Sequence, residues 1–379
     1  MARRDKGEGT LFKRKDGRWC ARINVTLPNG EVKRAVIVKK DRAKAKAQLE
    51  EWKERNKKKL PFVEENWTVE SYAKRWLEDI MPGKVRLSTL LRYRDTVRLY
   101  IVPGIGKIPL KELGVHHVQK AVDTLVKNGV SANGTLKFRR VLSACLMRAM
   151  REEVIFRNVA QLIEIPKYSP KKIFPWTAEQ AKLFLRETKG HHFHIAYAMM
   201  LTYGFRKGEM LGLRWTDIDF ANDIICIRQQ VNYLVGTIRA NEVKTEAGRR
   251  TLPLIPEIKQ ELLELAAQKN LKLPSFDPWK NLCLDGLILM TSNNTPIDPN
   301  NFARVFRRHI DEIGLPRVSV HTMRHTAATL QKNMGVPVKE AQLILGHANI
   351  STTLGIYQHG DMETQRMALG TIGAALSCS

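Results

Sequence analysis

Two proline- and lysine-bearing stretches, "KKKLPFVEEN" from residue 57 and "IPKYSPKKIFPW" from residue 165, cut this 379-residue chain into three pieces. Proline fixes φ and lacks an N–H, so neither a helix nor a central strand runs comfortably through such segments. The length itself asks for two or three domains, and 43% hydrophobic residues suffice for more than one core. The pieces also differ in period. The first alternates apolar and polar residues, the second repeats at helical spacing, and the third mixes the two. The expected fold is multidomain, mainly α with small β. It comprises an N-terminal three-stranded sheet plus helix (1–60), a helical bundle (61–168), and a mixed α+β domain with a C-terminal tail (169–379).

Within residues 1–60, "GTLFKRKDGRWCARINVTLPNGEVKRAVIVKK" reads as three strands broken at "KDG" (15–17) and "PNG" (28–30), both strong hairpin turns. Asp41 is placed to cap a following helix, "RAKAKAQLEEWKERN". In residues 61–168 Thr68 precedes "VESYAKRWLEDIM". The next helix is expected to take Ser88 as its cap and Pro103-Gly104 as its stop, and two more helices follow. In the last piece "TDIDFANDIICIRQQ" reads as a hairpin turning at Asn222-Asp223, and "IRANEVKTEAGRRTLPL" as a second one turning near Ala247-Gly248. The stretch "LGHANISTTLGIYQHG" reads as a helix turn followed by a polar loop.

Charge gives the first functional signal. The chain carries 63 Lys and Arg against 38 Asp and Glu, a net +25. Residues 1–60 alone hold 20 against 8, or +12 of that total. A protein this basic usually meets a polyanion, with ribosomal or membrane-surface binding as competitors to DNA. A solvated sheet face can carry Arg18, Arg22 and Lys33. The polar faces of the second piece carry Arg92, Lys137, Arg139 and Arg140, which suit phosphate contact. For each of these residues a solvated basic surface is the plain alternative. The five cysteines are scattered without a CxxC pair, which fits a reducing cytoplasm and points to neither a zinc site nor a disulfide framework. No apolar run reaches the roughly 18 residues of a membrane span, so membrane partners are not expected.

Four separated motifs in the third piece bear on chemistry. "LTYGFRKGEMLGLRW" puts Arg206 at the entrance of a helix with Glu209 on the same face. "VKTEAGRRTLPL" offers Lys244. "HTMRHTAATL" places His321 and Arg324 at i and i+3 on one helical face, with His325 one residue on. "LGH…Y" adds His347 and Tyr357. Two histidines at i and i+4 can hold zinc, but an arginine between them argues against a cation. Each motif alone is weak, and together they suit one reaction. A tyrosine hydroxyl, with an ordinary pKa of about 10, must lose its proton to attack a phosphodiester. Two arginines supply permanently charged forks for the non-bridging oxygens. A lysine can protonate the leaving oxygen, and a histidine can take the tyrosine's proton or bind the phosphate. No metal or other cofactor is required.

The order Arg206, Lys244, His321-x-x-Arg324, His347, Tyr357 resembles that of the tyrosine recombinases, the phage-integrase family. "GFRKGEMLGLRWTDID", "KTEAGRRTLPL", "HTMRHTAATL" and "LGHANISTTLGIY" match its patterns, and nearly the whole chain is covered. The resemblance implies an arm-type DNA-binding domain (1–60), a helical core-binding, SAM-like domain (61–168) and a catalytic domain (169–379). It implies that Tyr357 forms a 3′-phosphotyrosyl link, that Arg206 and Arg324 bind the scissile phosphate with His347 helping, and that Lys244 is the general acid. His321 is the implied base, the division between it and His347 being open, and Glu209 orients the site. The implied partners are double-stranded attachment sites of core and arm type, a homotetramer on that DNA, and DNA-bending and directionality factors in a bacterial cytoplasm. Gly355 departs from the family pattern, which usually has a side chain there. A resolvase-type recombinase and a DNA-binding regulator without catalysis are the alternatives. The arm module counts against the first and the complete residue set against the second.

Overall fold

The computed structural model describes residues 9–26, 32–57, 67–167, 174–243, 245–357, 366, 369–370 and 373. The chain divides into two compact units, Met1–Pro170 and Lys171–Ser379. It is mainly helical with small antiparallel sheets, as the sequence leads one to expect.

In the first unit β1 (Thr10–Lys13), β2 (Trp19–Thr26) and β3 (Val32–Lys39) pair antiparallel in that order. The first turn closes on Gly17, at φ +80°, with Asp16 accepting the Arg18 N–H at 3.1 Å. Residues 27–31, the second expected turn, lie outside the described residues. Side chains alternate across a strand, so the cross-strand pairs Ala21–Ile37 and Ile23–Ala35 share one buried face. They pack against Leu49 and Trp52 of α1 (Arg42–Lys57), whose first turn is capped by Asp41 through the Ala43 N–H at 2.7 Å. Arg22 points to the other face, its guanidinium 5.0 Å from the Phe12 ring.

A second core in this unit is built from α2 (Val69–Arg75), α3 (Leu87–Thr96), α4 (Val102–Ile105), α5 (Val115–Lys127) and α6 (Ala132–Arg151), around Tyr72, Trp76, Ile101, Phe138 and Leu146. Thr68 caps α2 as expected, in a reciprocal box with Ser71. Two expectations fail. The α3 cap is Arg86, without a side-chain bond, and Ser88 sits inside the first turn, where its carbonyl takes the Arg92 Nε–H. Nor does the helix stop at Pro103-Gly104. A π turn over Val97–Ile101 resets the hydrogen-bond register, so Pro103 falls in the first turn of α4, where a missing N–H costs little.

The second unit contains α7 (Ala178–Glu187), α8 (His194–Tyr203), α9 (Lys207–Leu211), β4 (Ile218–Asp219), β5 (Ile224–Ile227), β6 (Gln229–Leu234), β7 (Thr237–Glu242), β8 (Arg250–Pro253), α10 (Pro256–Gln268), α11 (Pro299–Ile313), α12 (Val320–Asn333), α13 (Val338–Leu345) and α14 (Ile350–Tyr357). Helix α8 is apolar nearly all round and lies in the middle of the core, against Phe184, Phe302 and Phe306. β4 and β5 form the expected first hairpin. The expected second one is not formed. Val235 and Gly236 both take positive φ, the geometry of a tight hairpin turn, which folds β7 back onto β6. A 3₁₀ turn at Glu246–Gly248 then delivers β8 to β5, so the two halves of "IRANEVKTEAGRRTLPL" belong to different sheets. The stretch after His347 is also helical rather than loop, forming α14. Among the described residues no helix is long and apolar enough to cross a membrane.

Candidate active site

Glycine shapes the centre of the site. Helix α8 ends at Gly204 in the left-handed region, φ +67°, and a Cβ there would collide with Leu345 and crowd Ala327. The end of α8 can therefore meet the body of α12 and the end of α13. Two residues on, Arg206 caps α9. Its N–H goes to Glu209 Oε2 at 3.1 Å, and its Nη1 to Glu209 Oε1 at 2.6 Å. Its Nη2 donates to the Gly346 carbonyl at 3.0 Å. Arg206 keeps 31% of its side chain exposed, while Glu209 is 2% exposed. Burial alone would raise the Glu209 pKa, but Arg250 and Arg206 outweigh it and hold the carboxyl below its usual range, so it is ionised.

Helix α12 starts in a capping box of Ser319 and Thr322, which sets His321 and Arg324 in its first two turns. Arg324 is 3% exposed. Its Nη1 donates to the Gly204 carbonyl at 2.8 Å, and its Nη2 has no hydrogen-bond partner among the described residues. Burial pulls its pKa down to about 9, with the nearby Arg206 charge adding to the effect. A buried guanidinium with an unsatisfied donor is costly, and an anion would satisfy it. His321 is exposed, and its ring stands edge-on to that of His325 at 5.2 Å.

Helix α13 ends at Gly346, also left-handed at φ +66°, and releases His347 into the same centre. His347 is buried, with Nδ1 2.9 Å from the Thr353 hydroxyl. Burial, then Arg324 and Arg206, push its pKa down to about 4, so the ring is neutral near pH 7. Thr353 and Tyr357 are one helical turn apart on α14. The Tyr357 hydroxyl donates to the Val336 carbonyl at 3.0 Å, and burial raises its pKa. Lys244 lies outside the described residues.

The structure thus joins Arg206, Glu209, Arg324 and His347 through the Gly204–Gly346 backbone. It also brings Arg206 and His321 onto one cleft of about 500 Å³, shared with Lys207, Gln230, Asn232 and Arg307. In the first unit Arg92, Lys137 and Arg140 line a single groove of about 850 Å³, whereas Arg139 does not reach it. Arg18 is exposed and ion-paired to Asp16 at 2.9 Å, and the side chain of Lys33 lies outside the described residues. Sequence reasoning missed Arg250. It is 7% exposed and bonds Glu209 Oε2 at 3.2 Å and the Ile344 carbonyl at 2.7 Å. The signal was available: on a strand, residue 250 shares its face with Leu252 and Leu254, both core residues.

The family description "Phage integrase family" matches residues 176–364, and "Phage integrase, N-terminal SAM-like domain" matches residues 68–126. The chain belongs to the phage integrase family. Within that family it is a tyrosine recombinase of the mobile-element type, an enzyme that breaks and rejoins DNA site-specifically. It is 26% identical over 384 residues to a tyrosine recombinase XerC-like protein of Caldanaerobacter subterraneus, covering 94% of this chain and 97% of that one. It is 25% identical over 310 residues to the transposase from transposon Tn916 of Enterococcus faecalis, covering 74% and 72%. In fold it matches the Tn1549 transposon integrase solved with circular intermediate DNA (TM-score 0.69, 23% identity, 81% and 99% covered). It also matches the lambda integrase tetramer on a Holliday junction (TM-score 0.59, 17% identity, 95% and 98% covered).

Proposed function

We propose that this chain integrates and excises a phage or other mobile element, with Tyr357 as nucleophile. The observation that carries the reading is the pair of arginines fixed by backbone carbonyls around one point, one of them buried with an unsatisfied Nη2. Such a pair is prepared for an anion with two free oxygens before any ligand arrives. On this reading Arg206 and Arg324 hold the non-bridging oxygens of the scissile phosphate, and His347, neutral, donates to one of them. The Tyr357 oxygen attacks phosphorus as its proton passes to His321. The bond to the 5′ oxygen breaks, and Lys244 protonates that oxygen. The phosphotyrosyl ester keeps the energy of the phosphodiester, so a second 5′ hydroxyl can reverse the step without ATP.

Residues 1–60, 61–168 and 169–379 serve as arm-binding, core-binding and catalytic domains. Arg92, Lys137 and Arg140 take the core-site backbone in their shared groove, and Arg18, Arg22 and Lys33 take the arm sites. Four protomers act on two DNA sites in the bacterial cytoplasm, with DNA-bending and directionality factors setting the outcome. The test is capture of the covalent adduct on a suicide duplex nicked beside the cleavage position. Digestion and mass spectrometry should place the nucleotide on Tyr357, and a nucleotide on any other residue overturns the assignment.

A further inference from the structure

Arg250 makes more contacts than its place at the start of a four-residue strand would require. Nη2 reaches Glu209 Oε2 at 3.2 Å, Nε the Ile344 carbonyl at 2.7 Å, and Nη1 the Gly248 carbonyl at 3.1 Å, while the guanidinium carbon sits 5.5 Å from the Phe205 ring. Three parts of the unit therefore converge on one planar group. The first is the carboxylate that also holds Arg206. The second is the last turn of α13, just before His347. The third is the 3₁₀ turn that follows Lys244 in sequence. The approach is close enough that a Cβ on Gly346 would lie 2.8 Å from Arg250 Nη1 and 2.7 Å from the Ala247 carbonyl oxygen. Only glycine lets the α13 terminus settle here.

We infer that Arg250 is a positioning residue for DNA cleavage. It couples the Glu209–Arg206 pair to the α13 turn that delivers His347, so that both phosphate-binding groups are set by one guanidinium. This rests on the reading that Arg206 and His347 bind the scissile phosphate. Glu209 alone aligns Arg206 from one side. Arg206 takes both carboxylate oxygens, Oε1 through Nη1 and Oε2 through its backbone N–H, and Arg250 adds a side-chain bond to Oε2 from another element. The Arg206 Nη2 bond to Gly346 and the Arg250 Nε bond to Ile344 then grip the α13 terminus two residues apart. A helix C-terminus presents unpaired carbonyls with partial negative charge, which suits two cationic donors. Arg250 touches no substrate on this account. Its work is to keep the spacing between Arg206 and the His347 ring fixed.

A lysine at 250 keeps the positive charge beside Glu209, but one ammonium cannot span Glu209, Ile344 and Gly248 with fork geometry. Arg250→Lys is therefore expected to remain folded, with a modestly lowered thermal midpoint, and to keep its affinity for a duplex carrying the element's end, while single-turnover cleavage at saturating protein slows by about tenfold or more. The two changes should also be coupled. In a Glu209→Gln background, Arg250→Lys should slow cleavage by less than about twofold further, because the shared carboxylate is already lost. Wild-type cleavage by Arg250→Lys, or effects of the two substitutions that multiply independently, overturns the inference. Arg206→Ala is run beside them to separate the two failures. If it still cleaves at the wild-type rate, the underlying reading of the site falls. If it is impaired while Arg250→Lys is not, only the positioning role falls.

Discussion

The arginine centre and the tyrosine helix are two halves of one site built to opposite standards. Arg324, Glu209, Arg250 and His347 are buried, and two left-handed glycines let their backbones meet. Helix α14 is eight residues long with Thr353 as its only fully buried residue, and Gly355 on it faces open space. Its Tyr357 hydroxyl is bonded to the backbone at Val336 rather than to a histidine or an arginine. On the proposed reading the phosphate-binding half is preorganised at the expense of burying charge, while the nucleophile rests on a helix with one fully buried residue. Preorganisation is useful for the groups that stabilise charge, since it removes reorganisation from the reaction step. A nucleophile that must be withheld until the correct partners are in place gains from the reverse.

The sharpest way to break this contrast is Tyr357→Phe. It removes the oxygen proposed to attack, together with the Val336 bond, and touches nothing in the arginine centre. SDS-resistant protein–DNA adducts should vanish, while core-site affinity in a gel-shift titration stays unchanged. Next come Arg206→Ala and Arg324→Ala, each of which should slow cleavage by about 10²-fold or more, the scale for losing one preorganised donor. If Arg324→Ala cleaves normally, the buried half is structural and the contrast dissolves.

A smaller effect concerns pH. His347 has a folded pKa of about 4, against about 6.5 when unfolded. Between those values the unfolded chain binds more protons, so stability rises with pH across that window and is lost as pH falls through it. His191, His192, His309 and His325 are lowered too, mainly by burial, and push in the same direction. The difference between wild type and His347→Gln isolates the one contribution. Urea titrations at pH 7 and pH 5 should show a smaller loss of stability for the variant, and an equal loss counts against the buried neutral imidazole. The smallest effect is expected for Gly355→Ala. Among the described residues no atom beyond its own helix and chain neighbours lies within 4 Å of the added Cβ, and alanine favours a helix by about 1 kcal/mol, so cleavage should stay within about fivefold while α14 amides exchange more slowly. A larger loss would mean that α14 must unwind to act.

Much of the fold was legible because it rests on local signals. Asp16-Gly17 and Asp41 did what their positions in a turn and at a helix start require. Alternation in β2 and β3 identified the sheet before its register was known. Where the structure differs, the reason lies outside the local motif. Proline usually terminates a helix, but a five-residue π turn ending two residues before Pro103 changes its position within the helix. The halves of "IRANEVKTEAGRRTLPL" looked like one hairpin because strand pairing is settled by distant partners, here β6 and β5. In the site, Arg206, Glu209, Arg324 and His347 stood out by motif and came together as a group. Arg250 did not, because its meaning depends on Glu209, 41 positions away in the chain.

The carboxylate of Glu209 also fixes an electrical sum. Among the described residues at the centre, Arg206, Arg250 and Arg324 contribute three positive charges, Glu209 removes one, and His347 adds none near neutral pH. A resting phosphodiester carries a single negative charge, whereas five-coordinate phosphorus attacked by a phenolate carries two. On the proposed reading, with Lys244 and the proton that His321 takes added, positive charge exceeds that of the phosphate in both states, and the excess favours the more negative five-coordinate one. That is the direction in which a catalyst gains rate rather than affinity.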